Sequence, residues 1–222
     1  MKLVKVTSGS ARPSRWYDDA CGTAHALELV GERWSLLIIR ELLLGPRRFG
    51  DLKASLNGVS ANVLTQRLEG LEAAGVVVRR KLPPPASVQV YELTPWGLEA
   101  EEAIKTLGRW AARSPDHDPS LPLSAVSLML SMRTMFQADH AWGENLSIGF
   151  HIGDEVFRAR VKAGALTAER GEAEAPDAVI HAPPEAIAAH LYAGAPLPDG
   201  AATGDLQALA RFAALFELPP KT

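Results

Sequence analysis

The 222-residue sequence predicts an α+β protein built in two parts. Three observations carry that prediction. The first half repeats apolar residues at helical spacing, the second contains segments that alternate apolar with polar residues as strands do, and a proline-rich stretch separates them. That stretch is "RSPDHDPSLPLS", residues 113–124, with three prolines. Proline has no amide donor and disfavours helix at the residue before it, so a helix is expected to stop near Arg113 and resume near Ser124. The expected domains are residues 1–114 and 124–222.

Composition narrows the class. Apolar residues make up 47% of the chain and charged residues 22%, which is ordinary for a globular protein. The single cysteine, Cys21, excludes an intramolecular disulfide framework and a cysteine-based zinc site. No run of 18 apolar residues occurs, and "MKLVKVTSGS" lacks a leader's apolar core, so a cytoplasmic location without membrane insertion is expected. The net charge of −3 hides an asymmetry. Residues 1–114 carry sixteen Lys/Arg against twelve Asp/Glu, whereas residues 115–222 carry seven against fourteen. A basic half suits a polyanion, and the acidic half needs a different task.

In the first half, "TAHALELVG" places Ala24, Leu27 and Val30 on one helical face before Gly31. "RWSLLIIRELLLGP" is apolar almost all round and predicts a buried central helix closed by Gly45-Pro46. "RRFGDLKASLNG" predicts a short helix turning Phe49, Leu52 and Leu56 inward, broken at Asn57-Gly58. Ser60 then caps a further helix with a buried stripe of Val63, Leu64, Leu68 and Leu71, which Gly75 ends. Helix, glycine-containing turn, helix is the helix-turn-helix arrangement. "VVVRRKL" and "VQVYEL", joined through "PPPAS", predict a hairpin placed as a wing. Thr94 and Pro95 open a last helix with an apolar stripe of Leu98, Ile104 and Leu107.

The stretch from "HALELVGERWSLL" to "GVVVRR", followed by "YELTPWG", resembles the HxlR-type winged helix-turn-helix regulators over residues 18–113. Its Arg-Phe-x-x-Leu, Ser-x-x-x-Leu-x-x-Arg-Leu and Tyr-x-Leu-Thr-x-x-Gly runs stand in the expected order. The resemblance implies a homodimer paired through the helix around Ala24 and Leu27 and the helix around Ile104 and Leu107, and double-stranded DNA as partner. It also implies that Cys21, at the head of the first helix, is a candidate redox thiol. Helix N-termini favour thiolate, although Asp18 and Asp19 oppose it.

The chemistry of contact follows from residue type. A recognition helix presents side chains to base edges and amides to phosphate. Ser60, Asn62, Thr65 and Gln66 lie on or near the polar face; the two amides suit adenine edges and the Thr65 methyl suits thymine. Arg67 is open between phosphate and an internal pair with Asp51 or Glu69. Arg47 and Arg48 flank the preceding helix as candidate phosphate contacts, and Arg80 and Lys81 do so from the wing.

The second half alternates in "LSIGFHI" and "VFRARV", with "GDEV" and "KAGAL" as turns and "DAVIHA" as a further strand. Its order, ending in "DAVIHAPPEAIAAHLYAG" and "GDLQALARFAALF", resembles a sterol carrier protein-like domain. The expected fold class is therefore an N-terminal winged helix-turn-helix domain followed by an α+β domain with an antiparallel sheet covered by helices. The second resemblance implies an apolar interior that takes a hydrophobic small-molecule effector, lined by Trp142, Phe150, Phe157, Leu191, Phe212 and Phe216. His140, His151, His181 and His190 are dispersed without metal-ligand spacing or a nucleophile motif, so no catalytic residue, metal or cofactor is expected. Two other readings stay open: a hydrophobic-ligand carrier whose winged helix serves dimerisation or protein contacts, and a Cys21 thiol sensor.

Overall fold

The computed structural model describes residues 17–222. The opening "MKLVKVTSGS" segment lies outside the described residues. The first half comprises helices α1 (Gly22–Val30), α2 (Ser35–Leu42), α3 (Phe49–Ser55) and α4 (Ala61–Ala73). The hairpin β1 (Val77–Lys81) and β2 (Gln89–Leu93) follows, then α5 (Pro95–Leu98) and α6 (Ala100–Ala112). The second half comprises α7 (Ala125–Met135), strands β3 (Asn145–Ile152), β4 (Glu155–Lys162), β5 (Ala165–Arg170) and β6 (Ala178–His181), then α8 (Pro184–Ala193), β7 (Ala202–Gly204) and α9 (Leu206–Ala213).

Local chemistry fixes the ends of the helices. Ser60 Oγ accepts from the Val63 amide at 3.2 Å, tying one of α4's unpaired first-turn donors. At the other end Gly75 takes φ +74°, the Val76 amide reaches the Leu71 carbonyl and the Gly75 amide the Glu72 carbonyl. Those two bonds form a Schellman closure, which turns the chain directly into β1. The Thr-x-x-Gly run has an equally physical basis. Thr94 Oγ1 accepts from the Gly97 amide at 3.0 Å and donates to the Gly75 carbonyl. A Cβ on Gly97 would stand 2.2 Å from the Val76 carbonyl oxygen, so glycine lets α5 seat against the strand.

The wing pairs antiparallel from Val77↔Leu93 to Lys81↔Gln89. Arg47 adds a rung on its other side, its amide reaching the Tyr91 carbonyl and its carbonyl accepting from Tyr91. The helix-turn-helix entry and the wing are thus joined through main chain.

The second half holds a five-stranded sheet of order β5-β4-β3-β6-β7. β3, β4 and β5 form an antiparallel meander, but β6 runs parallel to β3, so the sheet is mixed rather than antiparallel. The chain leaves β5 at one end of the sheet and must reach the opposite end to start β6. Residues 171–177 make that crossing over the outer face, where Gly149 leaves room beside Ala173 and Val179. β7, three residues antiparallel to β6, had no alternating pattern to betray it. Alternation sends Leu146, Ile148, Phe150, Phe157, Ala159 and Val161 inward and Arg158, Arg160 and Lys162 outward.

Two apolar cores result, and each borrows from the other half. The core of α2, α3, α4 and the wing includes Leu130 of α7, while the core of the sheet and α7–α9 includes Leu44. Between them Glu41 is fully buried, its Oε1 accepting from Arg40 Nη2 at 2.8 Å and Ser124 Oγ at 2.7 Å. Arg133 bonds both Glu101 carboxylate oxygens at 2.8 and 2.9 Å and donates to the Ala168 carbonyl. Arg109 of α6 donates to the Thr134 carbonyl of α7. The proline-rich connection ends at Ser124, whose Oγ also caps α7 through the Ser127 amide.

Candidate nucleic-acid interface

α4 is amphipathic in the way a groove-entering helix requires. Leu64, Leu68 and Leu71 have at most 1% of their surface exposed, while Ala61, Asn62, Thr65, Gln66 and Glu69 face outward. Ser60 is exposed as well, but its hydroxyl is engaged in the helix cap. Arg48 is exposed before α3, and Lys81 is exposed at the end of β1.

Arg67, Arg80 and Arg47 are each engaged. Arg67 pairs with Glu32 at 2.9 Å and donates to the Arg33 carbonyl at 3.2 Å, joining α4 to the α1–α2 turn. Neither Asp51 nor Glu69, the partners weighed from sequence, is the one it meets. Arg80 pairs with Glu92 across the wing at 2.7 Å and keeps 62% of its side chain exposed. Arg47 departs furthest from the position expected of a phosphate contact. Its side chain is 10% exposed and is ion-paired with Glu155 on β4, which also holds Arg170 at 2.7 Å. This cation faces the second half of the protein. No local sequence pattern links positions 47 and 155, which are brought together by the packing of the halves.

α1 and α6 are poorly covered. α1 buries none of its residues, and of α6 Ala112 is the buried one. Leu27, Leu98, Leu107 and Trp110 are exposed, Trp110 by 73%. Cys21 stands exposed at the N-cap of α1. The backbone amides of Ala24 and Thr23 hold its thiol below the usual cysteine value.

Residues 29–119 match the family model described as HxlR-like helix-turn-helix. The HTH-type transcriptional regulator sll1512 of Synechocystis sp. is 34% identical over 99 residues, which are 45% of this chain and 73% of that protein. The chain belongs to the HxlR-like helix-turn-helix family. Two further relatives are YtfH of Escherichia coli, 34% identical over 42% of this chain and 75% of its own, and YodB of Bacillus subtilis, 34% identical over 39% and 77%. All three are HTH-type transcriptional regulators by name. The HxlR-like region comprises the helix-turn-helix, wing and α6; α7 and everything after it lie beyond the matched residues.

In that C-terminal half the residues expected to line a ligand interior are placed differently from one another. Phe150, Phe157 and Phe212 expose no surface, which leaves no water-sized void against them, and Phe150 and Phe212 are in ring contact at 6.2 Å. Phe216 packs edge-on to Phe212 at 4.9 Å, and Leu191 is 4% exposed. Trp142 is 77% exposed and lies outside the core altogether. Among the described residues no group of His, Cys, Asp and Glu has the geometry to hold a metal ion, and no helix is long and apolar enough to cross a membrane.

Proposed function

We propose that this HxlR-like protein is a homodimeric, sequence-specific DNA-binding transcription regulator whose C-terminal half, sterol carrier protein-like in its order of elements, makes DNA affinity respond to a hydrophobic small molecule. The observation that carries the reading is the outward face of α4, where Asn62, Thr65 and Gln66 are exposed on a helix anchored from both ends and along its inner stripe. Base reading needs unspent polar groups on a rigid support, and that face offers them. Arg48, Arg80 and Lys81 flank it as cations for the phosphate backbone.

Dimerisation rests on the uncovered apolar residues Leu27, Leu98, Leu107 and Trp110 of α1, α5 and α6, which two copies would bury against each other. Arg67 supports this reader through its bond to the α1–α2 turn, and Arg47 joins the wing to the C-terminal half. Cys21, at the head of α1, gives the same face a thiol that electrophiles could reach.

Selection of genomic fragments with the purified protein, followed by footprinting, tests the proposal. A dimeric reader protects two half-sites separated by about one helical turn or a multiple of it. Recovery of fragments without any shared sequence would remove the regulator reading.

A further inference from the structure

The described clefts do not enter the packed aromatic interior of the C-terminal half. One of about 430 Å³ lies instead at the seam where α2, α6 and α7 meet. Its walls are Leu36 and Leu37 of α2, Ile104 and Leu107 of α6, and Leu130 and Met135 of α7. That volume is within the range of small-ligand sites, and the walls are apolar, as such sites require. Seven of the sixteen lining residues come after residue 119, outside the HxlR-like region, so the added C-terminal half closes one side of the cleft.

The polar groups in the lining narrow what it accepts. Arg40 and His117 are its ionisable residues, and no carboxylate is among the lining residues. Arg40 gives Nε and Nη2 to the buried Glu41, which holds the guanidinium in one orientation, and its Nη1 has no partner among the described residues. Ser127 and Ser131 add hydroxyls from α7. Ser131 is bonded at 2.6 Å to the Tyr192 hydroxyl, which burial keeps protonated far into the alkaline range.

We infer that this cleft is the effector site, and that it takes an amphipathic acid: an aromatic or hydrocarbon body between α2, α6 and α7, with a single anionic head at Arg40. This inference rests on the regulator reading above and locates its input. α2 explains how the site is coupled. One of its faces lines the cleft, while Ile38, Ile39 and Leu42 on the other belong to the core that supports α4. α6 likewise pairs the cleft, through Ile104 and Leu107, with the uncovered stripe of Leu107 and Trp110. An occupant that prefers one spacing of α2 and α6 therefore biases the spacing of two recognition helices in a dimer.

Two fluorescent probes test the site on the full-length protein: 8-anilinonaphthalene-1-sulfonate, an aromatic anion, and the uncharged N-phenyl-1-naphthylamine. Both are expected to bind saturably, one per protomer. Ser127→Trp and Gly108→Phe fill the cleft from opposite walls, and should each weaken both probes at least tenfold. A side chain at Gly108 meets nothing within 4 Å of its Cβ, so that variant is expected to fold even if the first does not. Arg40→Gln should weaken the sulfonate at least fivefold and the neutral probe less than twofold. Wild-type probe affinity in a natively melting Gly108→Phe protein would overturn the site. Equal loss of both probes in Arg40→Gln would overturn the acidic ligand class. Probe binding lost to the filling variants, in a protein that binds no DNA, would uphold the cleft while removing the regulator reading.

Discussion

Asn62 and Thr65 project from α4, and among the described residues neither side chain has a hydrogen-bond partner, so truncating them removes little from the folded state. Asn62→Ala is expected to weaken a selected DNA site by about 1–3 kcal/mol and to relax preference at one base pair, with the thermal midpoint unchanged. Lys81→Ala should instead weaken specific and non-specific DNA alike and lower the salt slope by about one, as a phosphate contact does. Fluorescence anisotropy on matched and scrambled duplexes separates the two. At Cys21 the backbone amides of Ala24 and Thr23 stabilise thiolate, so the pH profile of alkylation by iodoacetamide should have its midpoint below that of the same thiol in the urea-unfolded protein. A midpoint at or above that value would contradict the geometry at the head of α1. The residue scale is also where sequence reading had least purchase. The polar face of α4 was legible because helical periodicity sorts faces. The engagements of Arg47 with Glu155 and Arg67 with Glu32 were not, because each joins segments that only tertiary packing brings together.

Helices and strands were legible where a local signal is strong. Ser60, Gly75, Thr94 and Ser124 mark ends that the structure places within a residue of where capping chemistry puts them. The parallel pairing of β6 was not legible, since alternation reveals which face a residue takes but not the direction of its neighbour. β7 is too short to establish a period at all. α6 carries the clearest consequence at this scale. Its Leu107 and Trp110 are 48% and 73% exposed, a costly state for an isolated surface and an economical one for a dimer. Trp110→Glu is expected to convert the proposed dimer to a monomer in sedimentation velocity. Affinity for a two-half-site duplex should fall at least tenfold while the melting temperature of the protomer stays within a few degrees. A dimer that persists with Trp110→Glu would place the interface elsewhere.

The whole molecule couples its halves through shared packing rather than through a loose tether. Leu130 sits on α7 yet belongs to the core beneath α4, and Leu44 makes the reverse excursion. Leu130→Ala is therefore expected to cost about 2–5 kcal/mol and to speed amide exchange in β1 and β2, although the substitution lies in the C-terminal half. Exchange faster in β3 and β4 alone would show that the halves open independently. The same coupling explains why composition separated a basic half from an acidic one without revealing how they join. Glu155 and Glu101 belong to opposite halves, and each is spent on an arginine of the other. DNA reading by α4 and the wing is tested by the affinity for footprinted DNA as a function of salt. Log affinity is expected to fall linearly with log salt, at a slope of about −0.9 for each phosphate neutralised, with matched duplex favoured over scrambled throughout. Affinity indifferent to salt, or equal for the two duplexes at every salt concentration, would contradict it.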